Sequence, residues 1–127
     1  RLFLGDVGSL PIGLLLAWLL ALLADRHLAA ALLLPLYYVA DATITLLRRL
    51  AKGERITQAH RSHFYQRATD NGFSVMQIVG RVFALNIALA AIASATLLTP
   101  SRLLHGAALA VGCGLVSLLL YRFAQQR

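Results

Sequence analysis

Four long apolar runs constrain this chain more than any other feature of its sequence. They cover residues 10–24, 28–47, 74–98 and 103–121 of 127, and each is near the ~20 residues that a helix needs to cross a bilayer core. Hydrophobic residues make up 59% of the chain and charged residues 13%, whereas soluble domains carry roughly 25% charged residues. The sequence therefore predicts an all-α fold of about four transmembrane helices and argues against a water-soluble domain.

The basic residues are distributed unevenly among the connections between these runs. The net charge is +7, and most of the cations lie between the second and third runs or at the chain ends. The other two connections hold only Arg26 and Arg102. Because cytoplasmic loops carry such an excess of arginine and lysine, we expect a cytoplasmic loop at 48–73 with both chain ends on the same side. Anionic membrane lipids or a phosphorylated ligand suit this loop better than nucleic acid does.

A single carboxylate, Asp6, precedes the first apolar run within a Gly-Asp-Val-Gly-Ser sequence. Gly5 and Gly8 permit the positive φ angles of a sharp turn, and Ser9 is a suitable N-cap for the helix that follows. Asp6 has two interpretations: it is an oxygen ligand for Mg²⁺, or it caps the first helix by accepting backbone amides. One carboxylate does not hold Mg²⁺ alone, so the metal interpretation requires further ligands.

The loop between the second and third runs contains a dense set of hydrogen-bond donors. If Thr57 caps a short helix, then His60, His63 and Arg67 share one face of it. Together with Arg61, these side chains suit the binding of a diphosphate. The alternatives are a His-x-x-His metal pair, which lacks a third ligand nearby, and a solvated loop that contacts lipid headgroups.

Polar residues also lie within the apolar runs. Asp41 is in the second run, and Thr45 and Arg48 follow on the same face, one and two turns later. An acid within a membrane helix is a functional candidate. This one lies near the cytoplasmic end, where Arg48 or Arg49 can pair with it, so a structural ion pair is favoured. Asn86 lies in the third run, and we predict that its side chain forms a hydrogen bond to a neighbouring helix.

Local breaks and a stripe of small residues add further expectations. Pro35 should kink or break the second helix, and Asn71-Gly72 predicts a left-handed end to the loop helix. Gly106, Ala110 and Gly114 recur every four residues in the last run. Such a stripe suits close helix packing, and it would allow a homodimer.

Three segments, in their order and spacing, resemble a known enzyme family. They are Phe3-Leu4-Gly5-Asp6-Val7-Gly8-Ser9, then Asp41-Ala42-Thr43 with Arg48-Arg49, then Ala59-His60-Arg61-Ser62-His63-Phe64-Tyr65-Gln66-Arg67. Over residues 2–98 the chain resembles the C-terminal part of the polyprenyl-phosphate N-acetylhexosamine-1-phosphate transferases. That superfamily includes phospho-MurNAc-pentapeptide translocase and the enzymes that prime O-antigen and teichoic acid synthesis.

The resemblance implies a reaction and a site. A sugar 1-phosphate moves from a UDP-N-acetylhexosamine to polyprenyl phosphate with release of UMP, at the cytoplasmic face of the bacterial inner membrane. Mg²⁺, or Mn²⁺, is the implied cofactor, with Asp6 as one ligand. The segment that holds His60, Arg61, His63 and Arg67 is implied to contact the diphosphate. In such chemistry, positioning and charge neutralisation supply most of the catalysis.

The chain also departs from the family pattern. Family members carry an aspartate pair and an Asn/Asp-containing loop ahead of the Gly-Asp motif, whereas this sequence begins at Arg1. The resemblance therefore implies a C-terminal fragment whose catalytic base lies upstream, and which transfers nothing on its own. The alternative is a non-catalytic four-span module, a transporter subunit or assembly partner, whose basic loop binds lipids.

Overall fold

The computed structural model describes residues 5–53 and 63–125, with side chains from residue 8 onward. The described residues form five helices and no strand, which confirms the all-α prediction for this part of the chain. The helices are α1 (Gly5–Leu33), α2 (Leu36–Ala51), α3 (Phe64–Asp70), α4 (Val75–Leu97) and α5 (Arg102–Ala124).

Among the described residues, three helices are long and apolar enough to cross a membrane. They are Gly8–Leu33 within α1, all of α4 and all of α5. The 16 residues of α2 reach only about 24 Å at 1.5 Å per residue, short of a ~30 Å hydrocarbon core. The structure is thus that of a membrane protein with three candidate spans among the described residues, and the prediction of four spans is not confirmed.

The first two predicted spans are divided differently in the structure. The predicted connection at 25–27 coincides with a kink within α1, where two helical stretches meet at the non-helical backbone of His27 (φ −135°, ψ 61°). The predicted second helix breaks at Leu34 and Pro35, as expected for a residue without an amide proton. Residues 28–33 therefore complete α1, and α2 begins after the proline.

The predicted turn ahead of the first span is also wrong. α1 begins at Gly5, so Gly5, Gly8 and Ser9 are helical residues and Ser9 is not the N-cap. Among the described residues, positive φ occurs only at Gly53 and Gly72. Pro11 lies inside α1 and removes a single helical hydrogen bond there, which does not end the helix.

The first part of α1 has no protein cover among the described residues. Leu10, Leu14 and Trp18 are 69%, 74% and 58% exposed. Large exposed apolar surfaces mark contact with lipid or with another protein. Since α1 is also a candidate span, this surface suits the bilayer.

The packed core lies where the end of α1 meets α4 and α5. Its largest fully buried side chains are Leu33, Leu89 and Phe123. A Cβ on Gly112 of α5 would lie 2.5 Å from Cδ2 of Leu33, so glycine allows the close approach of α5 to α1.

The predicted stripe of small residues is not used in this packing. A Cβ on Gly106 or Gly114 would meet nothing within 4 Å, and Ala110 is exposed. The stripe is offset from Gly112, and α5 turns a different face toward α1 and α4. It therefore lies on the outer surface of the described chain.

The connection between α3 and α4 confirms the predicted left-handed helix end. Gly72 has φ +88°, and the Phe73 N–H donates to the Ala68 carbonyl at 3.0 Å, the six-to-one bond of a Schellman motif. The Asn71 side chain donates to the Phe123 carbonyl at 2.8 Å. This bond joins the end of α3 to the end of α5.

Candidate functional site

A cavity of about 560 Å³ opens between α2, the beginning of α3 and α4. We call it the aromatic cavity, and its polar or aromatic lining includes Tyr37, Tyr38, Asp41, His63, Phe83 and Asn86. Ile78, Val79 and Val82 give it an aliphatic wall on α4. Mostly apolar walls with a few convergent polar groups are typical of ligand sites.

Asp41 is buried, at 5% exposure, and its carboxylate joins α2 to α3. Its Oδ1 accepts the Phe64 N–H at 2.9 Å and the Thr45 hydroxyl at 3.4 Å. Phe64 is the first residue of α3, where helix amides lack partners within the helix and favour a negative charge. Asp41 therefore stabilises the beginning of α3, a partnership that the sequence analysis did not predict.

His63 lies next to this carboxylate. Its Nδ1 is 3.5 Å from Asp41 Oδ2, and its ring stacks on Tyr65 with centroids 5.7 Å apart. The carboxylate beside Nδ1 restricts the orientation of the ring. The side chain is 29% exposed, so a ligand in the aromatic cavity can reach it.

The predicted shared face of His63 and Arg67 is wrong. His63 is the N-cap of α3 with extended backbone angles, and its own N–H donates to Gln66 Oε1 at 3.3 Å. The helix therefore begins after His63, and the two side chains line different cavities. His60 and Arg61 lie outside the described residues.

A second cavity, of about 430 Å³, lies between the end of α2, α3 and the end of α5. We call it the basic cavity, because Arg48, Lys52 and Arg67 line it. No described carboxylate lies within 4 Å of these three cations. Several cations around one concave surface raise the local concentration of anions, and phosphate oxygens bind strongly to such groups.

Arg48 is held in the basic cavity by an aromatic ring. Its guanidinium carbon lies 4.6 Å from the centroid of Phe64, a cation–π contact. The predicted ion pair of Asp41 with Arg48 is therefore not formed. The reason is that the carboxylate is turned toward the beginning of α3, while Arg48, two helical turns after Asp41, covers the ring of Phe64.

Two buried polar atoms in the lining of the aromatic cavity have no hydrogen-bond partner among the described residues. They are the Tyr37 hydroxyl and Asn86 Oδ1. The amide nitrogen of Asn86 donates to the Tyr38 hydroxyl at 3.0 Å, which confirms the predicted bond to a neighbouring helix. A buried polar atom without a partner costs about 1–3 kcal/mol, so water or a polar ligand group suits this region.

The described residues were compared with the ligand groups that hold metal ions in proteins. They contain no group of three or more His, Cys, Asp or Glu side chains that could hold a metal. Asp41 and His63 make only a pair, and Mg²⁺ prefers carboxylate oxygens and water. The side chain of Asp6 is outside the described part of the chain, so its role as a metal ligand stays a prediction.

No family model, curated protein or solved structure matches the chain. The two cavities are therefore the features of the chain that bear on its function. Tyr37, Tyr38 and Lys52 were not predicted to take part in them. One signal was present in the sequence: the buried face of α2 repeats every four residues, at Tyr37, Asp41, Thr45 and Arg49.

Proposed function

We propose that this chain belongs to a membrane phosphoglycosyl transferase, which moves an N-acetylhexosamine 1-phosphate from a UDP-sugar to polyprenyl phosphate and releases UMP. The observation that carries the proposal is the pairing of two chemically different cavities on α2 and α3. One is basic and the other is apolar with a polar end, which matches the two substrates of such a reaction.

The basic cavity suits the diphosphate of the sugar nucleotide. Arg48, Lys52 and Arg67 line it together, and arginine binds phosphate oxygens with paired, charge-assisted hydrogen bonds. Neutralisation of phosphate charge is also the main requirement for phosphoryl transfer. In this proposal Arg67 binds the diphosphate, as the sequence resemblance implies, and Arg48 and Lys52 bind it as well.

The aromatic cavity suits the isoprenoid acceptor. Its wall on α4 includes Val79 and Phe83, which are 57% and 64% exposed on a helix long and apolar enough to span a membrane. An isoprenoid chain could approach along this wall from the bilayer. At the polar end, His63 is then available to donate to or accept from the phosphate, with its ring oriented by Asp41.

The proposal includes orientation and metal dependence. Both cavities face the cytoplasm of a bacterial inner membrane, which the distribution of arginine and lysine supports. The proposed metal ion is Mg²⁺ or Mn²⁺, and Asp6 is the one ligand that the proposal names for it. The non-catalytic membrane module is the alternative, and it requires neither substrate nor metal.

The test is acceptor-dependent release of UMP by the full-length protein, reconstituted with undecaprenyl phosphate and a panel of UDP-N-acetylhexosamines. We expect release that requires the acceptor and Mg²⁺. Asp6→Asn should nearly abolish it without loss of expression, whereas the control Asp25→Asn should leave it unchanged. Absence of acceptor-dependent release with every sugar, or an unaffected Asp6→Asn variant, would favour the non-catalytic module, since asparagine caps a helix as well as aspartate does.

A further inference from the structure

A third cavity, of about 230 Å³, lies between α4 and α5. We call it the two-arginine groove, after Arg81 and Arg122. Its remaining lining is apolar and includes Leu85, Leu115, Leu118 and Leu119. It shares no lining residue with the aromatic or the basic cavity, so the proposed transferase leaves it without a role.

The two guanidinium groups of this groove have no described carboxylate within 4 Å. The Arg81 guanidinium carbon lies 4.7 Å from the Phe73 centroid, and Phe73 in turn contacts Phe123 edge to face at 5.9 Å. This stack positions Arg81, while Arg122 is exposed in the last turn of α5. Two cations thus face one small groove with their charge uncompensated by the described residues.

The two arginines of the groove lie near the same end of two candidate spans. α4 and α5 are both candidate spans. Arg81 is six residues after the first residue of α4, about 9 Å along its axis at 1.5 Å per residue, and Arg122 lies two residues before the last residue of α5. Arginines near the ends of spanning helices extend toward the interface.

The apolar part of the groove continues along α5. Leu115, Leu118 and Leu119 precede Arg122 by one to two helical turns, and Leu118 is 50% exposed. The groove therefore has a cationic end and an aliphatic floor that leads toward the middle of the helix. A ligand that fills both parts is amphiphilic and anionic.

We propose that the two-arginine groove binds one anionic phospholipid. The phosphate lies between Arg81 and Arg122, and an acyl chain covers the leucines of α5. Basic pockets between transmembrane helices bind such headgroups, and the aliphatic floor favours a lipid over free phosphate. A zwitterionic headgroup would bring its own cation to the two arginines and bind less well.

Native mass spectrometry of the full-length protein in detergent, titrated with phosphatidylglycerol or phosphatidylcholine, tests this proposal. The wild type should retain phosphatidylglycerol preferentially, and R81Q/R122Q should weaken that binding about tenfold or more. The matched control R26Q/R102Q removes the same charge from outside the groove, and should change binding by less than about twofold.

Three results would overturn the proposal. If R81Q/R122Q retained phosphatidylglycerol as well as the wild type does, the two arginines would not form the binding site. If R26Q/R102Q lost as much binding as R81Q/R122Q, only the total charge of the protein would matter. Displacement of the lipid by an equal concentration of glycerol 3-phosphate would identify a site for free phosphate. If R81Q/R122Q does not fold, R122Q is used alone, because Arg122 is exposed; R122Q must then weaken phosphatidylglycerol binding and R122K must largely restore it.

Discussion

The aromatic cavity and the basic cavity are both formed by α2 and α3, yet they differ in whether their charged groups have partners within the described protein. In the aromatic cavity the buried Asp41 accepts hydrogen bonds from Phe64 and Thr45. In the basic cavity Arg48, Lys52 and Arg67 have no described carboxylate within 4 Å. A buried charge must be paired within the protein, whereas exposed cations around a concave surface can bind an external anion. The carboxylate of the first cavity thus stabilises the fold, and the cations of the second are open to an external anion.

Phe64 connects the two cavities. Its backbone N–H donates to Asp41, and its ring, which is 3% exposed, lies beneath the guanidinium of Arg48. A displacement of the beginning of α3 would therefore move groups of both cavities together. The variants below separate the structural contribution of each cavity from ligand binding.

The largest effect on stability is expected at Asp41. Asp41→Ala removes the acceptor of a buried amide and should lower the free energy of unfolding by about 2–3 kcal/mol, because a buried donor without a partner keeps its full desolvation cost. Unfolding of the protein in mixed micelles by a denaturing detergent measures this change. Asp41→Asn keeps Oδ1 and should cost less than about 1 kcal/mol. An equal loss in both variants would mean that the charge, rather than the hydrogen bonds, stabilises the beginning of α3.

A smaller effect is expected at the edge of the basic cavity. Arg48→Gln removes the cation over Phe64 and should lower the free energy of unfolding by about 0.5–1 kcal/mol, the usual size of a cation–π contact. Lys52→Gln, in the same cavity, should change it by less than about 0.5 kcal/mol, and the same unfolding assay measures both. A larger loss for Lys52→Gln than for Arg48→Gln would contradict the division between the cavities, since Lys52 would then be structural.

The weakest of the three interactions tested is the hydrogen bond between α2 and α4. A double-mutant cycle of Tyr38→Phe and Asn86→Ala should give a coupling free energy near 0.6 kcal/mol, the average for hydrogen bonds between membrane helices. Thermal unfolding in detergent gives the free energy of unfolding of the wild type, of each single variant and of the double variant, and the coupling is calculated from these four values. A coupling of zero would show that this bond does not join the two helices in solution.

Local rules predicted the features that depend on neighbouring residues. The break at Pro35 and the left-handed Gly72 follow from backbone sterics, and both are present. The bond of Asn86 to another helix follows from the cost of a polar group in an apolar environment. These predictions needed no knowledge of tertiary packing.

Other features depend on residues far apart in the sequence. Asp41 bonds an amide 23 residues later, whereas helical spacing offered only Thr45, Arg48 and Arg49 as partners. Gly112, and not the predicted stripe, packs against Leu33, because the rotation of α5 is set by the whole core. His63 and Arg67 likewise line different cavities because α3 begins between them. Tertiary contacts determine the residue at which α3 begins.

The most direct test of the proposed transferase compares R48Q/R67Q with R26Q/R102Q in the full-length protein. Both variants lose two arginines, but only the first loses them from the basic cavity. The measured quantity is the rate of acceptor-dependent UMP release at a fixed, sub-saturating concentration of UDP-sugar. We predict a decrease of at least about tenfold in R48Q/R67Q and a rate close to wild type in R26Q/R102Q. An unchanged rate in R48Q/R67Q, or the same loss in both variants, would contradict the assignment of the basic cavity to the diphosphate.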